Sequence, residues 1–404
     1  MTAGKRGLSI FVLILIALPI LLAHEEHEHE EKTDHYITTI GIERVKDISE
    51  ETFRALKEKR IDIAETRAHL EAIKILLLGI FVMIVFFAFY HGQSPALLKL
   101  RNFLQKFDYY TLGSITGFLF FMLILSGAYL ALFFSAHPFE AHQSVMDITK
   151  SPVGWYIRNF HLWAAEAFVF IMLLHATRVV ITRANLYAKK WNYYIGLVLL
   201  ALALGSLLTG TMLKVDQEGY EAFAHLMAAI ALVPGGNAVA NFFTGPLAVM
   251  RLFVIHIFLL PVAMLFLVPI HVALQNVYTK AVSRWKKSAV YSAVVLMAIM
   301  FLSAVSPAPL FGPAIAHVEI TKPPWMYYWL YGLENIMGMI GMIIGPAVAF
   351  AVLFILPSLV ETNRKYRIMD VIYFGGMAII IILGIYAAYS GVHQHIFMGG
   401  MHAN

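Results

Sequence analysis

The sequence predicts an all-α integral membrane protein, and three observations carry that prediction. Hydrophobic residues make up 60% of the 404 positions and charged residues only 14%, where soluble domains carry roughly 25% charge. Apolar stretches long enough to cross a hydrocarbon core recur at roughly 72–90, 111–134, 160–182, 193–213, 247–275, 288–306, 333–357 and 369–390. Basic residues alternate between the connections. One set holds Lys99, Arg101 and Lys106; Arg183, Lys189 and Lys190; Lys280, Arg284, Lys286 and Lys287; Arg364, Lys365 and Arg367. The other holds only Lys150, Arg158, Lys214 and Lys322, and no Lys or Arg follows Tyr389.

In order along the chain, residues 1–23 read as a signal peptide or an uncleaved anchor: Lys5 and Arg6 precede an apolar core from Leu8 to Leu22, and Ala23 ends it. Residues 24–71 form a polar, His-rich segment. Its His24, His27, His29 and His35 lie among glutamates, as either a metal-binding cluster or a hydrated tail. The stretch from Glu43 to His69 reads as a solvated helix, with opposite charges such as Glu51 and Arg54 nearby. An extra spanning helix follows at 72–91. The second to fifth apolar stretches, within 108–275, are termed helices A to D and form a four-helix bundle. The last three, within 276–404, are E to G and form a three-helix part. The positive-inside rule puts the basic set in the cytoplasm. The polar N-terminal segment, the long C–D and E–F connections and the C-terminus are then outside, as the N-terminal signal independently requires. The expected location is the cytoplasmic (inner) membrane of a bacterium or archaeon, with periplasmic N-terminal segment and C-terminus.

The chain has no cysteine. That excludes disulfides, covalent c-type haem of the CxxCH kind and thiolate-bound iron–sulfur clusters within it. The net charge of +5 reports membrane topology rather than nucleic-acid binding.

Helices B and D carry the chemistry. His161 and His175 are 14 residues apart, and His256 and His271 are 15 apart. Fourteen residues of helix rise about 21 Å and nearly complete whole turns, so each pair sits on one face near opposite membrane surfaces. B and D run in the same direction in this topology. His161 then meets His256 near the outer face, and His175 meets His271 near the inner face. Paired neutral imidazoles suit two non-covalent b-type haems, each with two His ligands and no open position, hence electron transfer rather than oxygen chemistry. The extra residue in D is expected to be absorbed by a proline kink, since Pro261 and Pro269 lie between the two histidines.

Glycines repeat with the same period. Gly113 and Gly127 in A are 14 apart, as are Gly196 and Gly210 in C, and glycine permits close approach of a macrocycle edge to backbone. Arg158, Arg178 and Arg251 flank the histidines where haem propionates need partners. Each also suits an interfacial, snorkelling role. His91, His137, His142, His225 and His317 lack partners at this spacing and read as loop or interfacial residues.

These motifs give a resemblance. Helix A reads GSITG to SG (Gly113 to Gly127) and helix B reads GWYIRNFHLWAAEAFVFIMLLHATR (Gly154 to Arg178). Helix C ends LTGTMLKVDQEGYEA (Leu208 to Ala222), and helix D reads PLAVMRLFVIHIFLLPVAMLFLVPIHVALQ (Pro246 to Gln275). Over roughly residues 108–390 the chain resembles the cytochrome b/b6 family, the membrane core of quinol–cytochrome c oxidoreductases, with its two parts fused. The 14/15 spacing is closer to the photosynthetic and bacterial branch. The resemblance implies a quinone site near each haem, the outer one under the C–D and E–F connections. It also implies a homodimeric core in membrane lipid. The partners it implies are a Rieske iron–sulfur protein or a c-type cytochrome.

Three departures stand out. The family's PEWY motif is Pro323-Pro324-Trp325-Met326, so the glutamate that takes a quinol proton is Pro324. The altered outer site is assigned to Trp325, with Glu334 as substitute carboxylate. The usual proline of the C–D motif is Lys214. Thr111 stands where the photosynthetic branch has a haem-bearing cysteine. Two competing readings are a ferric-reductase-type membrane domain, which the missing GxGxxG segment opposes, and a haem-free metal transporter, which predicts midplane ligands rather than histidines near the surfaces.

Overall fold

The computed structural model describes residues 67–84, 111–186, 189–279, 285–315, 318–363, 366–393 and 395–396, with isolated positions between 95 and 102. The signal or anchor, the His-rich stretch, the end of the extra span, His91 and His317 lie outside the described residues. The fold is that of an all-α membrane protein. Among the described residues, seven helices are long and apolar enough to cross a membrane.

Helix α1 covers residues 67–84. Helix A is α2, Leu112–Ala131, and a short amphipathic α3, Ala141–Lys150, leads to helix B, α4, Pro152–Ile181. Helix B begins well before the expected residue 160. Ser151 is an extended N-cap whose Oγ accepts the Gly154 N–H at 3.4 Å, and Pro152 opens the first turn. Helix C is α5, Lys190–Met212. The C–D connection folds as α6, Gln217–Ala231, and α7, Gly236–Phe243.

Helix D is composite: α8, Ala248–Val254, a π-helical turn at Ile255–Leu259, and α9, Leu260–Thr279. This corrects the expected proline kink. A π-turn carries one residue more than an α-turn, so it brings the 15-residue spacing of His256 and His271 into register with the 14-residue spacing of helix B. Pro261, just beyond the turn, lacks an N–H and favours the wider loop. Pro269 sits inside α9.

Helix E is α10, Trp285–Val305. The expected span 333–357 is two helices, α11 at Tyr328–Met337 and α12 at Ile340–Asn363. Gly338 separates them at φ +69°, a left-handed value that glycine adopts without a Cβ clash. Glu334 therefore lies on a short helix ahead of the span. Helix G is α13, Tyr366–Tyr389.

Helix α2 packs along α4, and α5 along helix D, making the bundle; α10 closes on α4, while α11 and α12 pack on α13. Polar atoms fix the seam of α4 and α10: Asn159 donates to the Ser303 carbonyl at 3.1 Å and accepts from Ala308 N–H at 2.8 Å, and Trp163 donates to Ser306 O at 2.9 Å. Inside a bilayer each such group must find a protein partner.

Helix α1 is tied to the bundle by charge. Lys74 Nζ lies 2.7 Å from Glu166 of helix B, 3.1 Å from Glu71 and 5.2 Å over the Trp163 ring. Arg67 pairs with Glu218 of α6 at 2.7 Å. Glu218 also pairs with Lys214, whose ammonium is 3.2 Å from Asp216. Lys214, a departure in sequence, is thus part of a buried charge ladder running from helix B through α1 to the C–D connection.

Lys74→Met leaves the Glu166 carboxylate buried without its ammonium. Breaking such a pair from one side costs about 3 kcal/mol, the low end of the range, because the Lys74 side chain stays 26% exposed. Thermal unfolding in detergent should show that loss. A Lys74→Met, Glu166→Gln double variant should recover more than half of it.

Candidate functional site

The structure brings the four histidines together as two cross-bundle pairs. The His161 and His256 ring centroids are 6.4 Å apart with planes at 72°, and those of His175 and His271 are 6.3 Å apart at 77°. Imidazole nitrogens bind first-row metals at about 2.0 Å, so two rings on opposite sides of one ion have centroids about 6 Å apart. Both pairs have that separation.

The outward ring nitrogens are held. His161 Nδ1 is 2.9 Å from Ser126 Oγ, whose own proton goes to Met122 O at 2.8 Å. His256 Nδ1 is 3.1 Å from Thr209 Oγ1, whose proton goes to Gly205 O at 2.8 Å. Each hydroxyl has used its hydrogen on the helix carbonyl four residues back, so it accepts from the ring. His271 Nδ1 donates to Asn192 O at 3.1 Å. This hydrogen-bond pattern assigns an Nδ1–H tautomer to all three, leaving the Nε2 lone pair for the facing gap. Metal-bound histidines are oriented by the same device. His175 Nδ1 is buried without a hydrogen-bond partner among the described residues.

The glycines back the rings. A Cβ on Gly113 would lie 3.1 Å from His175 Cε1, and one on Gly127 3.1 Å from His161 Cε1. On helix C the distances are 2.8 Å from Gly210 to His256 and 3.4 Å from Gly196 to His271. In the structure the imidazoles stand edge-on against the neighbouring helix at these glycines.

Two of the three flanking arginines bind backbone carbonyls. Arg158 donates to Ala308 O at 3.0 Å and Pro309 O at 2.7 Å. Arg251 donates to the Phe242 and Thr244 carbonyls and lies 4.4 Å over the Phe242 ring. Both cover carbonyls at helix ends or in connections. Arg178 is buried one turn beyond His175.

A polar cluster lies beyond the His161 end. The buried face of α6 holds the E–F connection. Asp216 accepts from Phe311 N–H at 2.9 Å, and Gln217 accepts from Ile315 N–H at 2.6 Å. Glu221 accepts from Ile320 N–H at 2.7 Å, Thr321 N–H at 3.0 Å and the Thr321 hydroxyl. Trp325 opens a 3-10 turn and packs edge-on to Phe170 of helix B, with centroids 6.5 Å apart. The next turn is tied to helix C, for the Tyr327 hydroxyl donates to Leu204 O at 2.5 Å. Lys322 caps the end of α13 by donating to Ala387 O at 3.1 Å and Ala388 O at 3.0 Å.

Glu334 pairs with a residue that sequence reasoning missed. His225 Nε2 is 3.2 Å from Glu334 and 3.7 Å from Glu319. His225 was read as a loop or interfacial residue, yet it sits on the buried side of α6, and Nδ1 donates to Glu221 O at 2.7 Å. The signal available was its place on α6: Tyr220, Phe223, Ala224 and Met227 flank it and are all buried. Burial alone lowers the His225 pKa, but the carboxylates of Glu334 and Glu319 outweigh it and hold it at about 10. Burial raises Glu319, against His225 and the backbone N–H groups of Ile396 and His395, which lower it.

Residues 102–279 match the family described as cytochrome b/b6/petB. The cytochrome b6 of Synechococcus sp. (strain JA-3-3Ab) is 30% identical over 165 residues, 38% of this chain and 74% of the relative. That of Heterocapsa triquetra is 28% identical over 178 residues, 41% of this chain and 81% of the relative. Among solved structures, a chain of a hyperthermophilic respiratory Complex III aligns with TM-score 0.56 at 20% identity, covering 69% of this chain and 87% of that one.

A folded-state His pKa raised from 6.5 to about 10 stabilises the fold fully below pH 6.5, and that stability is lost as pH rises through 10. The thermal midpoint in detergent should fall between pH 7 and 10. His225→Asn should flatten that slope while leaving the slope below pH 6 in place.

Proposed function

Because the chain belongs to the cytochrome b/b6 family, we propose that it is the di-haem cytochrome b subunit of a respiratory quinol-oxidising complex. In this reading it moves electrons across the membrane between quinone and a periplasmic partner, a Rieske protein or c-type cytochrome. The observation that carries it is the pair of facing imidazoles, 6.4 and 6.3 Å apart at two levels of one bundle. The residues present fit the group: His161 and His256 would hold the outer haem, and His175 and His271 the inner one. A haem held by two neutral imidazoles supplies a low-spin, one-electron centre without an open coordination position.

The protein's part is positional. Ser126, Thr209 and the Asn192 carbonyl fix ring orientation and tautomer of His161, His256 and His271, leaving the Nε2 lone pair of those three for the gap. Gly113, Gly127, Gly196 and Gly210 let the rings stand against helix backbone. About 21 Å of helix rise separates the two levels along helix B, a spacing suited to a vertical relay. Stacked Phe120 and Phe168, 6.2 Å apart, belong to the apolar core of helices A and B. Trp325 and Glu334 are assigned to the outer quinol site, where Pro324 supplies no carboxylate. The polar N-terminal segment and the C-terminus are assigned to the periplasmic side, and a homodimeric core to the assembly.

The reduced-minus-oxidised spectrum of the purified protein, with a pyridine–haem count, tests the reading: two b-type haems per chain are expected, and none would overturn it. His256→Ala should remove one and spare the other. Among the glycines, Gly210→Ala should lose its haem most readily, since its Cβ would meet His256 Cε1 at 2.8 Å; Gly196→Ala, at 3.4 Å, should keep both.

A further inference from the structure

The outer site of the proposed reading has lost the carboxylate that would take a proton, and the cluster around His225 has the composition to replace it. Three elements converge there. Helix α6 brings His225, the E–F connection brings Glu319, and α11 brings Glu334, with side chains 12%, 2% and 1% exposed. The C-terminal segment roofs them. Its His395 and Ile396 N–H groups both donate to Glu319 Oε1, at 2.9 and 2.7 Å. The His395 ring lies 6.4 Å from that of His225.

The protonation pattern follows from the hydrogen bonds. His225 Nδ1–H goes to the Glu221 carbonyl, so Nε2 is the nitrogen facing the two carboxylates. A bare lone pair there would repel both, so Nε2 carries a proton and the trio bears one net negative charge. It has room for one more proton, on a carboxylate. His225 Nε2 and Glu334 Oε1 approach to 3.2 Å without the alignment of a hydrogen bond, which leaves lone-pair capacity on Oε1. The way out is marked too. Asn335 donates to Ser390 Oγ at 3.0 Å, so its Oδ1 accepts from His395 Nε2–H at 2.8 Å. His395 Nδ1 is then the acceptor. His393, with its ring 5.9 Å further on, is exposed.

We propose that His225, Glu334 and Glu319 form the proton acceptor of the outer quinol site, discharging to solvent past His395 and His393. The inference rests on the quinol-oxidising reading above. In the step, one quinol O–H bond breaks and one O–H bond forms on Glu334, whose charge goes from −1 to 0. One electron leaves the quinol with that proton, for a one-electron acceptor of that reading. His225 then gives its Nε2 proton to Glu319 and takes the one on Glu334. The second O–H proton and electron leave the same way in a second turn, once the first proton has been discharged. The groups facing His225 are Glu334 from α11, Glu319 from the E–F connection, the Glu221 carbonyl of its own helix and His395 from the C-terminal segment; Tyr331 and His393 stand against His395.

The test uses the purified complex, a short-chain quinol as reductant and stopped-flow haem reduction from pH 5.5 to 9. In the wild type the rate should fall at low pH, where the cluster takes up its extra proton from solvent. Glu334→Gln should slow reduction at pH 7 at least tenfold and abolish that acid limb, with Glu334→Asp partly restoring both. A carboxyl C=O band should appear in the infrared difference spectrum on quinol addition and be lost in Glu334→Gln. If Glu334→Gln does not fold, His225→Asn, which keeps an amide donor for Glu221 O, carries the same test. Wild-type rates, an unchanged pH profile and a retained band in the folded variants overturn the proposal and leave the parent reading standing. A wild type that binds haem but is not reduced by quinol overturns both.

Discussion

Four imidazoles held edge-on against helix backbone, three of them with the outward nitrogen hydrogen-bonded inside the bundle, constrain everything around them. Three of the rings need glycine on the facing helix, because a Cβ there would crowd Cε1 at 2.8 to 3.1 Å, while Gly196 leaves 3.4 Å. The rings need a hydroxyl or carbonyl at the back because hydrocarbon offers no water. Both needs are local to A and C, yet they serve residues of B and D. The bundle is therefore specified as helix pairs rather than single helices: A backs B with Gly113, Gly127 and Ser126, and C backs D with Gly196, Gly210, Thr209 and the Asn192 carbonyl.

The π-turn at Ile255–Leu259 belongs to the same constraint. Helix D has one residue too many for its histidines to share a face with those of helix B. In a uniform α-helix His271 would lie about 60° past the line of His256, while fourteen residues leave His175 about 40° short of the line of His161, a mismatch of about 100° between the two helices. One wide turn next to Pro261 removes the mismatch in one place and leaves both flanking segments α-helical.

Around this bundle the chain adds polar structure that the bilayer does not supply. Helix α6 turns Asp216, Gln217 and Glu221 toward the E–F connection, which has almost no regular structure and so depends on side chains for its backbone N–H groups. Helix α1 brings Arg67 and Lys74 to carboxylates on α6 and helix B. Burial of so many charges favours a unique arrangement over a sliding one, since any displacement leaves an unpaired ion. The two unusual features near the C–D connection, Lys214 and the extra helix, are thus parts of one network.

The sequence by itself determined the all-α membrane class and the spacings of the two histidine pairs and of their glycines. All are periodic, and helical periodicity converts spacing directly into shared faces. It also exposed the missing glutamate at Pro324 and the changed residue Lys214, which are identities at single positions. Only the tertiary structure decided how helix D absorbs its extra residue, that the span near Glu334 breaks at Gly338, and that Arg158 and Arg251 serve carbonyls. It alone joined His225 to Glu334 and Glu319, and Lys74 to Glu166. These contacts link residues tens to more than a hundred positions apart, through side-chain directions set by helix packing. No period within one segment encodes them, because the partner's position depends on how the other helices come to rest.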